Sequence, residues 1–394
     1  MNRPMWSKGY VLLFTAYWTL LILRLPSVSC MQSVVNENAE DWYKIDFLIG
    51  PKAKSHLPID MCTSKVETSD KASQGRAESM KNKLMSEYLD PAQTNLWEQM
   101  CLIDSGKQPA RQPITNYDVK LVLNAAESCL AGTDIDILLL VRSEAQSFAQ
   151  RQTVRELWGD PKCWLGAKVS RVFLMDPISL LNLTTKMQEN LALEYSKYHD
   201  IVEEGLSNCE INSMLLLGLQ WYLAYCPQAK WIISTHDQYF INPGNMVAFL
   251  QSVSEAMRQR VVIGSARYRP TCISSESPLC SNLSYHRIQQ SDPGGDPTII
   301  DTSIVLVSSP MAPAIYTAMR YTEYNTHPDQ FLASALNGLL VTPAHSSYIY
   351  TEGFPPTRED ELNSAIAFPL KEGRNEAFEM WNTLACPEFC SQAP

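Results

Sequence analysis

Residues 226–242 read CPQAKWIISTHDQYFIN. The middle of this stretch, 230–235, is an apolar run of strand length, with a Cys-Pro turn before it and the polar triplet His236-Asp237-Gln238 after it. Asn242 and Pro243 then open a helix: an Asn side chain accepts from first-turn amides, and proline has no amide to leave unpaired. In open α/β sheets the carboxyl ends of strands hold ligands, so polar side chains there are candidates for chemistry. The triplet is the first place to look.

Outward from it, strands and helices alternate. Residues 135–141, IDILLLV, form a continuous apolar run suited to a central parallel strand, and 146–158 follow at helical spacing. The same patterning predicts strands at 171–175, 261–265 and 299–307, and helices at 179–198, 209–225, 243–258 and 330–340. This succession predicts one doubly wound α/β domain of Rossmann type over residues 117–394. Trp158, Trp221 and Trp231 are expected in its core. Residues 31–115 show little periodicity, and the tract 63–83 is polar, so 26–116 is expected to be a stem; within it, 87–103 has the apolar spacing of one helix that packs on the domain.

The chain has 394 residues, 45% hydrophobic and 19% charged, with a net charge of −10. Phosphate backbones need a basic footprint, so nucleic acid is not an expected partner. Residues 9–23 carry no charge and lie behind Arg3 and Lys8. Two expectations stand: a signal anchor over 9–25 with a cytoplasmic tail at 1–8, or a cleaved signal ending near Ser29-Cys30. Ten of the 11 cysteines follow residue 31. That even set predicts disulfides of unspecified connectivity, with the Cys386-x3-Cys390 tail closed internally or joined to Cys272 or Cys280. Asn182 and Asn282 begin N-x-S/T sequons and are expected glycosylation sites.

Several spaced motifs together resemble the β-1,3-galactosyltransferases and β-1,3-N-acetylglucosaminyltransferases of the Golgi. DILLLVRS at 136–143 and FAQRQTVRELWG at 148–159 are similar to that family's first strand and its R-x-x-I-R-x-T-W-G helix. Glu194, Tyr198, Asp200, Ile201 and Asn212 fit its E-Y-x-D-I…N pattern, and 221–230 fits W-x4-C-P-x-A-K. The resemblance implies a GT-A-like mixed sheet behind a membrane anchor and stem. It implies an inverting transfer of galactose or N-acetylglucosamine from a UDP-sugar to a glycan acceptor in β-1,3 linkage. It also implies a type II protein of the Golgi membrane.

The resemblance further implies that an acidic triplet holds manganese and the UDP-sugar. Here that triplet is His236-Asp237-Gln238, so two carboxylates are missing and weak metal binding by Asp237, His236 and Gln238 is expected. Asp329, in the segment Pro328-Asp329-Gln330, takes the place of the catalytic base; a carboxylate capping the following helix would look the same in sequence. Arg151 and Arg155 are expected to touch the donor, although four apart on a helix they also suit pairing with Glu144 or Glu156. Asp237 is the remaining donor contact. The family's glycine-bearing strand is met here by Thr302 and Ile304, whose branched side chains are expected to crowd a sugar, and a family lysine is met by Leu216. Two readings of function follow: an active hexosyltransferase, or a silent relative that binds and chaperones active glycosyltransferases. A secreted lectin-like module is the third, if the signal is cleaved.

Overall fold

The computed structural model describes residues 121–130, 132–180, 183–204, 213–259, 261–267, 299–324, 327–339, 341–352, 355–371 and 373–391, with scattered positions between 96 and 114. The expected anchor, most of the stem, Asn182, Asn282, Cys272 and Cys280 lie outside the described residues. No helix among the described residues is long and apolar enough to cross a membrane.

The edge strand β1 (Leu121–Leu123) precedes the central strand β2 (Ile135–Ser143), which leads into helix α1 (Phe148–Glu156) and strand β3 (Val169–Met175). Helix α2 (Thr185–Tyr198), strand β4 (Ile201–Glu204) and helix α3 (Met214–Tyr225) follow. The opening stretch becomes β5 (Ala229–His236), the short β6 (Tyr239–Ile241) and helix α4 (Pro243–Ser252). Then come β7 (Val262–Arg267), β8 (Ile299–Ser308), α5 (Ala312–Arg320), α6 (Pro328–Gly338) and β9 (Ala344–His345). The chain closes with β10 (Ala367–Pro369), α7 (Arg374–Thr383) and α8 (Pro387–Ser391).

The main sheet has the order β1-β4-β3-β2-β5-β8-β7-β9, and β10 pairs with β6 apart from it. β4, β3, β2 and β5 are parallel; β8 runs antiparallel between β5 and β7, so the sheet is mixed. β2 is buried on both faces, which is why it reads as an unbroken apolar run and not as an alternation. Leu138 and Leu140 face one core with α3, α5 and α6, while Ile137, Leu139 and Val141 face the other with Trp158, Trp164 and Phe240. Trp158, Trp221 and Trp231 are all buried. Leu96, in a helical position of the predicted stem helix, is buried in the first of these cores.

Boundary differences have local causes. The helix expected at 179–198 is a short turn, Pro177–Leu180, followed by α2, because the Thr184 hydroxyl accepts from the Met187 amide at 3.3 Å and starts a new helix. The helix expected at 243–258 breaks after Ser252 for the same reason: Ser254 accepts from Met257 at 3.3 Å and opens a separate turn, Glu255–Arg258. β4 was not predicted, since its four residues include Glu203 and Glu204.

Candidate functional site

β2 and β5 end side by side, with Arg142 opposite His236 in register. Ser143 and Glu144 therefore leave the sheet next to Asp237 and Gln238. They border a cavity of about 280 Å³, whose other walls are Asp176 after β3, Ser213, Met214 and Leu215 at the start of α3, Thr302 of β8, Met319 of α5 and Pro328 of α6. All three expected triplet residues line it.

Asp237 is only 8% exposed. Its Oδ2 accepts from the Ser143 hydroxyl at 2.6 Å, and that hydroxyl oxygen accepts from Arg151 Nη1 at 2.9 Å. Burial pushes the Asp237 carboxyl up to about 6, against the opposing pull of Ser143 and Arg151. Burial, then the nearby Arg142, push the His236 imidazole down to about 3, so it is neutral at neutral pH. Arg142 donates through Nε to Thr235 O at 3.4 Å and through Nη2 to Thr302 O. Burial lowers its guanidinium to about 10, which leaves it a cation at neutral pH.

The expectation for Arg151 and Arg155 is corrected by where their N–H groups point. Arg151 is fully buried, and its five donors go to Glu194 (2.9 and 2.7 Å), Ser143 Oγ, Glu144 O (2.6 Å) and Ala145 O (3.1 Å). A guanidinium has five donors, so none is left for a phosphate. Arg155 grips Asp200 through two bonds, at 2.9 and 2.7 Å, and Glu194 at 2.6 Å, under the Tyr198 ring whose centre lies 4.0 Å away. The carboxylate partners are Glu194 and Asp200, not Glu144, which offers only its backbone carbonyl, or Glu156. This network braces α1, α2 and the end of β2 from behind the cavity.

Asp329 sits in the first turn of α6 beside the cavity wall, with His327 in the cap position. Its carboxylate does not cap that helix. Oδ1 accepts instead from the Thr302 amide at 2.8 Å and hydroxyl at 2.6 Å, tying α6 to β8. The crowding expected from the two branched residues is therefore halved: Thr302 borders the cavity with its hydroxyl held by Asp329, while Ile304 is buried in the core on the far side. Leu216 is also a core residue, packed inside α3. The Cys386-Cys390 expectation is corrected as well. Cys390 bonds Cys163, Cys129 bonds Cys226, and Cys386 is a buried free thiol, because α8 lies against the turn Pro161–Cys163.

The residues present do not fit a divalent cation. A hard cation takes several oxygen ligands, preferably charged, and among the described residues no cluster of three or more His, Cys, Asp or Glu side chains can hold a metal. The triplet offers one carboxylate, already engaged by Ser143 and favoured in its protonated form by burial. Manganese is not shown here.

Residues 149–347, about half of the chain, match the family model described as galactosyltransferase. The chain belongs to the galactosyltransferase family. It is 25% identical over 191 residues to human beta-1,3-galactosyltransferase 1, a match covering 44% of this chain and 57% of that protein. It is 26% identical over 253 residues to the Danio rerio lactosylceramide 1,3-N-acetyl-beta-D-glucosaminyltransferase B, covering 61% and 63%. The chain thus matches less than two thirds of the length of these relatives. Among solved structures it aligns with the WbbM bifunctional glycosyltransferase at a TM-score of 0.36 and 9% identity, over 66% of this chain and 46% of that one, a likeness too loose to bear on the site.

Sequence reasoning missed Arg142, Ser143 and the start of α3. For Arg142 a signal existed: it is the one charge that follows the apolar run of β2. For Ser213 to Leu215 there was none, because only the chain's return across the sheet brings that helix end to the cavity.

Proposed function

We propose that this galactosyltransferase-family chain transfers a hexose, galactose or N-acetylglucosamine, from a UDP-sugar to a hydroxyl of a glycan acceptor, with inversion and in β-1,3 linkage. The observation that carries the reading is the cavity at the carboxyl ends of β2 and β5, whose lining from Asp176 to Pro328 falls within the family-matched region, bordered by Asp237 and lying beside Asp329. The relatives' activities support the sugar classes, and the expected anchor supports a type II place in the Golgi membrane.

In this mechanism Asp329 is the base. Thr302 fixes one of its oxygens, and the second, which has no hydrogen-bond partner among the described residues, takes the acceptor proton as the hydroxyl attacks. Asp237 orients a donor sugar hydroxyl, its carboxylate held in place by Ser143. Incubation of the protein with labelled UDP-galactose or UDP-N-acetylglucosamine and a panel of terminal glycans, followed by linkage analysis, tests the reading. A β-1,3-linked product is expected, and absence of product with both donors sinks it. Asp329→Asn is expected to lower turnover by about 100-fold or more while UDP still binds, as removal of a general base does; unchanged turnover removes Asp329 from the role.

The loss of two triplet carboxylates favours a second reading, a silent relative that binds active glycosyltransferases. Its signature is co-purification of a transferase whose activity depends on this chain, with no transfer by the chain itself.

A further inference from the structure

Three arginines are buried among the described residues, Arg142, Arg151 and Arg155. Arg151 and Arg155 meet carboxylates at 2.6–2.7 Å. Arg142 makes no ion pair with any described residue. It donates to two backbone carbonyls through Nε and Nη2, and Nη1 has no acceptor among the described residues although the residue is only 9% exposed. Asp329 and Asp301 act on it through space without a direct ion pair; burying a cation that no carboxylate touches is costly, and this one lines the cavity. A buried cation with unused donors facing a hollow is built for an anion.

A second element points the same way. α3 is 12 residues long and begins at the cavity with Met214 and Leu215 in its wall. Ser213 caps the Leu216 amide at 3.4 Å, and the two amides before it find no acceptor among the described residues. The N-terminal end of a helix carries about half a positive charge and presents free N–H groups, which suits phosphate. The acidic side chains of the cavity do not cancel this. Glu144 is exposed to solvent, Asp176 is half-buried after β3 and Asp237 is engaged by Ser143, while Asp329, which with Asp301 acts on Arg142 through space, has one oxygen tied to Thr302.

We propose that the cavity binds the diphosphate of a nucleotide sugar without a divalent cation, with Arg142 and the first turn of α3 supplying the positive charge. The inference rests on the nucleotide-sugar reading given above and departs from it on the cation. Binding then gives a desolvated guanidinium that no described carboxylate touches a direct anionic partner, and the same fixed charges oppose the charge that builds on a departing diphosphate.

The test is calorimetric titration of UDP, and separately of inorganic pyrophosphate, into the full chain in EDTA and in manganese. Expected is UDP binding with the same affinity in both buffers, weakened at least about tenfold in Arg142→Gln and less in Arg142→Lys, as loss of a charge-assisted bond predicts. Thermal melts of both variants separate lost binding from lost folding, and the EDTA comparison on the unaltered chain stands without either variant. UDP binding that appears only with manganese overturns this inference and leaves the transferase reading intact. Pyrophosphate binding that needs Arg142, with no UDP binding, supports the anion site and overturns the nucleotide-sugar reading. Binding of neither probe in either buffer overturns both.

Discussion

Arg151 shows how a residue can match a motif and yet serve the frame behind a site. With every donor used and no exposure, its removal leaves Glu194 buried beside Arg155 alone and frees the Ser143 hydroxyl that holds Asp237. Arg151→Gln is expected to destabilise the fold by about 3–5 kcal/mol, the usual cost of breaking a buried pair from one side, read from urea unfolding; a variant that keeps full stability but loses UDP binding would restore Arg151 to the donor. Glu203 gives a second expectation at this scale. Burial lifts its carboxyl from 4.5 to about 8. The folded chain keeps this proton between those values and the unfolded chain releases it, so stability is fully present below about pH 4.5 and falls as pH rises to about 8. By pH 7 the loss is about 3 kcal/mol. Glu203→Gln is expected to raise the melting temperature at pH 7.5 and to flatten its decline from pH 5; an unchanged slope refutes the assignment.

At the scale of elements, two glycines set how closely helices approach the sheet. A Cβ on Gly218 of α3 would stand 2.8 Å from Leu140 and 3.0 Å from Leu174, so α3 rests directly on β2 and β3 and its first turn reaches the cavity. Gly159, just after α1, is tighter: a Cβ there would meet the Val154 carbonyl oxygen at 2.6 Å. Backbone cannot swing aside as a side-chain tip does, so Gly159→Ala is expected to cost about 1–3 kcal/mol, measured by thermal unfolding, and to exceed Gly218→Ala. The long elements were legible because their periodicity and caps agree, as at Asn242, which accepts from Asn245 at 3.1 Å. β4, β6, β9 and β10 were not, since strands of two to four residues are defined by the neighbours they pair with.

Across the whole molecule, the Cys163–Cys390 bond ties α8 to the turn after α1 over a separation of 227 residues. Removing a native bridge of this kind costs about 2–5 kcal/mol. Cys163→Ser is expected to lower the melting temperature and to expose residues 387–391 to carboxypeptidase; resistance of the tail equal to the unaltered chain would show that packing alone holds α8. Most of the cavity's composition also belongs to this scale. Its wall combines residues from β2, β3, α3, β5, β8, α5 and α6, separated by up to 186 positions between Arg142 and Pro328.

The sequence alone was enough to show the α/β succession, the family resemblance and the triplet at a strand end, because each depends on local period, local caps or short ordered motifs. It could not show which charges face the cavity. Arg142 and Arg151 both stand in motif-like segments, and only the folded chain, by placing Glu194 against one and leaving the other without a carboxylate in direct contact among the described residues, separates a brace from a binding residue. Ion pairing between distant positions is a property of packing, and no period in the chain encodes it.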